Sequence, residues 1–140
     1  MVLMLIGIWA IPLNSLAQEK GAKLDFIKEF EDLGTMYTDE LENTELTIDF
    51  KNTGDQPLVI NNVRGCCGTR IKEYPNNPVM PGEEGFIKIV LRIAPRAHAV
   101  NRTVSVISND PDGMKAFRIR GEVVEPESLF NPNPNHSMAQ

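Results

Sequence analysis

Between Leu46 and Val124 apolar side chains recur at every second position in short runs, and clusters of turn residues separate the runs. In Glu45–Lys51, Leu46, Ile48 and Phe50 alternate with Thr47 and Asp49. Ile87, Ile89, Leu91 and Ile93 alternate with Lys88, Val90 and Arg92, and Phe117, Ile119 and Val123 oppose Arg118, Arg120 and Glu122. Successive side chains of an extended chain point to opposite faces, so this period gives each strand one dry face and one wet face. A sheet with one dry face must cover it, and an antiparallel array covers it with a second sheet. Asn52-Thr53-Gly54-Asp55, Pro81-Gly82 and Asn109-Asp110-Pro111-Asp112-Gly113 supply the reversals. The expectation is an all-β, immunoglobulin-like antiparallel β-sandwich of about seven strands.

The 140 residues suit one such domain, flanked by segments of different character. Residues 1–17 carry no charged side chain, and the run ends in Asn14-Ser15-Leu16-Ala17. An apolar stretch closing on Ser-x-Ala reads as a secretory signal peptide cleaved after Ala17, and it falls short of the roughly 20 apolar residues of a membrane span. No cysteine adjoins the cleavage point to carry a lipid. Residues 18–23 form a polar leader, 24–125 the folded domain, and 126–140 an Asn/Pro-rich tail too poor in apolar residues to fold. The expected location is therefore outside the cytoplasm: periplasmic, outer-surface or extracellular, with no membrane span in the mature form.

Three stretches inside the domain are less regular. In Leu24 to Leu33, Phe26, Phe30 and Leu33 fall at helical spacing while Leu24 and Phe26 alternate as in a strand; an edge strand is the favoured reading, and Gly34 ends the segment either way. Val63 breaks the parity set by Leu58 and Ile60, which predicts a bulge or a strand end near Asn61-Asn62. Arg64 to Glu84 holds Pro75, Pro78 and Pro81, which deny it regular pairing, and reads as a long irregular loop.

Phe50-Lys51-Asn52-Thr53-Gly54-Asp55-Gln56-Pro57-Leu58-Val59-Ile60-Asn61-Asn62-Val63 resembles the strand–turn–strand block of exported bacterial proteins grouped as domain of unknown function 1573, frequent in Bacteroidetes. The resemblance continues through Gly65-Cys66-Cys67-Gly68-Thr69, Pro81-Gly82-Glu83-Glu84-Gly85, Asn101–Asn109 and Ile119–Val123, and covers roughly Leu24 to Val124. It implies an Ig-like sandwich related to major sperm protein and abnormal-spindle/Hydin domains, and an interaction module rather than an enzyme. In that family a Gly separates the two cysteines; here Cys66 and Cys67 are adjacent. Neighbouring side chains of an extended segment diverge, so a metal or dithiol role does not transfer directly.

Cys66 and Cys67 are the candidate thiol or disulfide pair. Adjacent Cα atoms lie about 3.8 Å apart, below the usual disulfide range of about 4.4–6.8 Å, so a bond between them would be strained. The plainer reading is one cysteine packed as a small apolar residue and one bystander thiol, with an intermolecular disulfide as a third possibility. His98 and His136 are the only histidines, too few to complete a zinc site, and His98 reads as a solvated loop residue. No Gly-x-Ser-x-Gly, His-Glu-x-x-His or phosphate-binding Gly loop occurs. Asp39-Glu40-Leu41-Glu42 reads as a solvated turn, and Arg118 with Arg120 as a polar exterior. A net charge of −5 disfavours nucleic acid. The expectation is a non-enzymatic module with no catalytic residues, cofactor, metal or small-molecule substrate. It would bind another envelope or extracellular protein through the Arg64–Glu84 loop and an edge strand. The alternative is a thiol-redox or soft-metal protein using Cys66 and Cys67.

Overall fold

The computed structural model describes residues 20–127. The expected signal peptide and all but the first residues of the expected tail lie outside that range. Eight strands form: β1 (Leu24–Phe26), β2 (Phe30–Tyr37), β3 (Thr44–Asn52), β4 (Ile60–Gly65), β5 (Thr69–Glu73), β6 (Glu84–Leu91), β7 (His98–Ser108) and β8 (Lys115–Val124). They make two four-stranded sheets, ordered β1-β3-β6-β5 and β2-β8-β7-β4. The alternation sets the register. Leu46 stands opposite Ile89 and Ile48 opposite Ile87 on one sheet, while Val104 stands opposite Phe117 on the other. Their inward faces meet in one core containing Ile48, Phe50, Ile87, Ile89, Leu91, Val104, Val106, Phe117 and Ile119. Each such side chain contributes about 1.5–3 kcal/mol by leaving water. Phe50 pairs with Gly85 across the first sheet. A Cβ on Gly85 would come within 2.5 Å of the Phe50 ring, so the ring occupies the space that only glycine leaves.

Three expectations need correction. Leu24 to Leu33 is not one edge strand; it divides between the sheets. Leu24 and Phe26 turn inward in β1, with the Phe26 ring 5.2 Å from Phe117. The chain then crosses the sandwich without reversing and enters β2, which pairs with β8 in parallel. That pair departs from the all-antiparallel expectation because a strand that changes sheet while keeping its direction meets the opposite polarity there. Nor does Gly34 end the segment. With φ of +67°, it sits in a register shift between Asp32 and Thr35, and β2 continues to Tyr37. The Asp32 carboxylate accepts the Gly34 N–H at 2.8 Å, which stabilises this irregularity. Finally, Arg64–Glu84 contains β5, paired with β6. Only Ile71 gives β5 an inward apolar residue, so its period was too short to read. The parity break at Val63 is a bulge, between Ile60 and Asn62.

Two buried polar side chains tie the turns to the sheets. Asn52 is fully buried at the end of β3. Its Oδ1 accepts the N–H groups of Lys23 (3.2 Å) and Gly54 (3.0 Å), and its Nδ2 donates to the carbonyls of Gln56 (2.7 Å) and Val79 (2.9 Å). One amide thus satisfies four backbone groups from the leader, the Asn52–Asp55 turn and the Pro-rich segment. Gly54 follows from the same crowding, since a Cβ there would lie 1.9 Å from the Gly21 carbonyl oxygen. Asp110 has the matching role at the β7–β8 turn. Its carboxylate accepts the Leu24 N–H at 2.9 Å and the Asp112 N–H at 2.8 Å, fastening β1 to the other sheet's hairpin. Around it Asp112 pairs with Lys23 and with Lys115, the latter at 3.3 Å.

Replacing Asn52 with Ala removes four hydrogen bonds from a buried site, although the Val79 carbonyl keeps the Leu58 N–H. Urea denaturation should show a loss of about 3 kcal/mol, whereas Asn61→Ala on the exposed side of β4 should stay within about 0.5 kcal/mol of the parent. The hydrogen bond from Lys23, then that from Lys115, holds the Asp112 carboxyl below the usual carboxylate range. A carboxyl lower in the folded than in the unfolded chain stabilises above about pH 3.9, and the effect fades as pH falls through the folded value. In an NMR titration Lys23→Met should therefore move the Asp112 midpoint upward, towards the ordinary range.

Candidate functional site

The cysteines sit where the chain passes from one sheet to the other, between β4 and β5. Cys66 prolongs β4. Its N–H donates to the Thr103 carbonyl at 3.1 Å, and its Sγ accepts the Thr103 N–H at 3.1 Å. Cys67 and Gly68 make the turn itself, Gly68 with φ of +69°. The turn is closed by the Thr69 N–H to the Cys66 carbonyl and by the Arg92 N–H to the Gly68 carbonyl. Both cysteines are free thiols; Cys66 is half-buried and Cys67 exposed. The two side chains therefore have different surroundings, Cys66 at the end of β4 and Cys67 in the turn.

Thr69 Oγ1 and Arg102 Nε flank this turn and are the buried side-chain polar atoms without a hydrogen-bond partner among the described residues. Groups of that kind weaken a structure locally. His98 opens β7, five residues from the Thr103 that holds Cys66, or about 16 Å along an extended strand. The structure therefore does not bring a cysteine and His98 together. His98 Nδ1 instead lies 2.5 Å from the Arg96 carbonyl. Among the described residues no group of three or more His, Cys, Asp or Glu side chains is placed to hold a metal ion. Asp39, Glu40 and Glu42 are exposed between β2 and β3.

The sheet edges and the segment after β5 offer more surface. β4 and β5 are the outer strands of the two sheets on one side of the sandwich, and β1 and β2 are the outer strands on the other. Beyond β5, Tyr74 packs partly against the core, and the chain then runs through Pro75 and Pro78 back towards the start of β6. Leu58 and Val79 exchange backbone hydrogen bonds of 2.8 Å, which holds this segment down. Between it and β6 lies a cleft of about 380 Å³ whose walls include Tyr74, Pro78, Glu84 and Phe86. The sequence offered this stretch as a contact region but did not show the cleft, because the cleft forms only where the Pro-rich segment arches back over the start of β6. The clue available was Phe86, an aromatic at an outward position of a strand.

The stacked sheets and their crossing first strand define an immunoglobulin-like β-sandwich. The chain belongs to the family described as Protein of unknown function (DUF1573), whose match spans residues 24–123. A protein of unknown function from Porphyromonas gingivalis W83 superposes with a TM-score of 0.61 at 18% identity, covering 79% of this chain and 51% of that one. The secreted serine protease VesC from Vibrio cholerae gives 0.61 at 12% identity over 76% of this chain and 24% of its own. The Vibrio cholerae VesB protease gives 0.54 at 12%, over 73% and 31%. This chain thus spans about half of the first protein and a third or less of the proteases. At these identities the likeness is one of fold. No curated protein sequence matches the chain. Among the described residues no helix is long and apolar enough to cross a membrane.

The unequal settings of the thiols give a direct test. In a short pulse of iodoacetamide followed by peptide mass spectrometry, Cys67 should be alkylated about tenfold faster than Cys66. Equal rates would mean that the Thr103 contacts do not shield Cys66.

Proposed function

We propose that this chain is an exported, non-enzymatic recognition domain that binds another envelope or extracellular protein. The observation that supports it best is the edge formed by β5 and the Pro-rich segment behind it. β5 is a five-residue outer strand with one side paired to β6. Beyond its C-terminal end, Phe86 of β6 remains 41% exposed on the wall of the cleft. An open strand edge next to exposed apolar side chains is a surface that extended peptides use, the backbone supplying affinity and the side chains selectivity. Export is supported by the charge-free apolar N-terminal segment.

A photo-crosslinking residue placed at Lys72 or Asn76 in living cells should yield one discrete protein adduct, and the same residue at Asp39, in the β2–β3 connection at the other end of the sheet, should not. Adducts equally strong at all three sites, or at none, would exclude this face as the recognition surface.

A further inference from the structure

The cleft behind β5 has a composition that selects its occupant. Its apolar wall is made by Tyr74, Pro75, Pro78 and Phe86, and its acidic rim by Glu73, Glu83 and Glu84; no Lys or Arg lines it. Of the three carboxylates, Glu73 already has a cation, the Lys88 ammonium at 3.5 Å. The same ammonium lies 5.1 Å from the centroid of the Phe86 ring. Within the chain itself, then, Phe86 and a rim glutamate hold an alkylammonium by charge and by the face of the ring. Glu83 accepts the Met80 N–H at 3.2 Å but forms no ion pair among the described residues. Glu84 forms none either, although Lys51 stands opposite it in register.

We infer that this cleft receives a Lys or Arg side chain from an extended segment of the partner protein. The aliphatic stem would lie along Tyr74, Pro78 and Phe86, and the cationic head would meet Glu83 and Glu84. The size is suitable, since about 380 Å³ exceeds what one such side chain fills and leaves room for flanking residues. Charge complementarity makes a basic segment the favoured occupant, because an acidic one would meet the Glu83 and Glu84 carboxylates, which have no ion pair among the described residues, and a purely apolar one would leave them so. The inference rests on the recognition role proposed above and gives it a partner chemistry.

Two measurements test it. In a ¹⁵N NMR titration, a capped pentapeptide Gly-Gly-Lys-Gly-Gly should shift the amides of Tyr74, Asn76, Gly85 and Phe86 in a saturable way. The peptide with norleucine in place of lysine should bind at least about fivefold more weakly, as should Glu84→Gln and Phe86→Ala proteins given the lysine peptide. Asp39→Asn, in the exposed β2–β3 connection at the other end of the sheet, should bind as the parent does. Equal binding of the norleucine peptide, shifts spread over all acidic surfaces, or no shifts would overturn the inference. Phe86 is exposed, and unchanged spectra elsewhere would verify that its variant is folded. The Asn76 cross-link in cells separates the two levels of the argument. Loss of the adduct in Glu84→Gln and Phe86→Ala supports the cleft, and its persistence in both rejects the cleft while leaving the recognition role intact. Its absence from the parent protein rejects the role itself.

Discussion

The side chain of Asn52 is the constraint on which most of this fold depends. Its four hydrogen bonds join three segments that lie apart in the sequence: the leader at Lys23, the turn at Gly54 and Gln56, and the Pro-rich strand at Val79. A buried amide with all its capacity used is specific in a way that apolar contacts are not, because a shift of one residue would leave donors and acceptors unpaired in a dry interior. Hydrophobic burial drives the two sheets together, and Asn52 fixes which turn meets which segment. Asp110 repeats the device at the other sheet's hairpin by holding the Leu24 N–H. β1 is only three residues long, and these two side chains explain how so short a strand keeps its place.

That fastening shapes the recognition surface. Val79 accepts from Asn52 through its carbonyl while exchanging hydrogen bonds with Leu58, so the Pro-rich segment is held at its far end. The near end is held by Tyr74 against the core. Between those two anchors the chain arches over the start of β6 and encloses the cleft. The prolines deny the arch a sheet partner and limit its backbone freedom, which lowers the entropic cost of presenting a fixed concave surface. The cysteine turn lies at the opposite end of β5, so the two features identified on this side of the sandwich are spatially distinct.

Much of the architecture was legible from residue order. Of the positions expected to face inward, Ile48, Phe50, Ile89, Leu91, Val106 and Ile119 are buried, and Leu46 and Ile93, at the strand ends, are half-buried. Parity also revealed the bulge before Val63, because a single displaced apolar residue marks an inserted one. The misreadings share a cause. β5 and the β1–β2 crossing have one or two inward residues each, and a period cannot be recognised from so few. The irregularity at Gly34 was read as a stop because a glycine at positive φ ends some strands and bends others, and only the pairing with β8 distinguishes the two. In the candidate site, the sequence offered Cys66, Cys67 and the Arg64–Glu84 stretch as candidates, but the walls of the cleft appear only once the fold is formed.

By itself the sequence determined the sandwich class, the inward residues of its long strands and the turns between them. Those properties follow from local alternation, which depends on neighbours one and two positions away. Tertiary structure alone decided that the first strand would cross between sheets and run parallel to β8, and that Asn52 would be a buried junction rather than a solvated turn residue. It also decided that Phe86 would share a cleft with Tyr74 and Pro78. These outcomes depend on which distant backbone groups come within hydrogen-bond reach, and that is set by the closing of the two sheets over a common core.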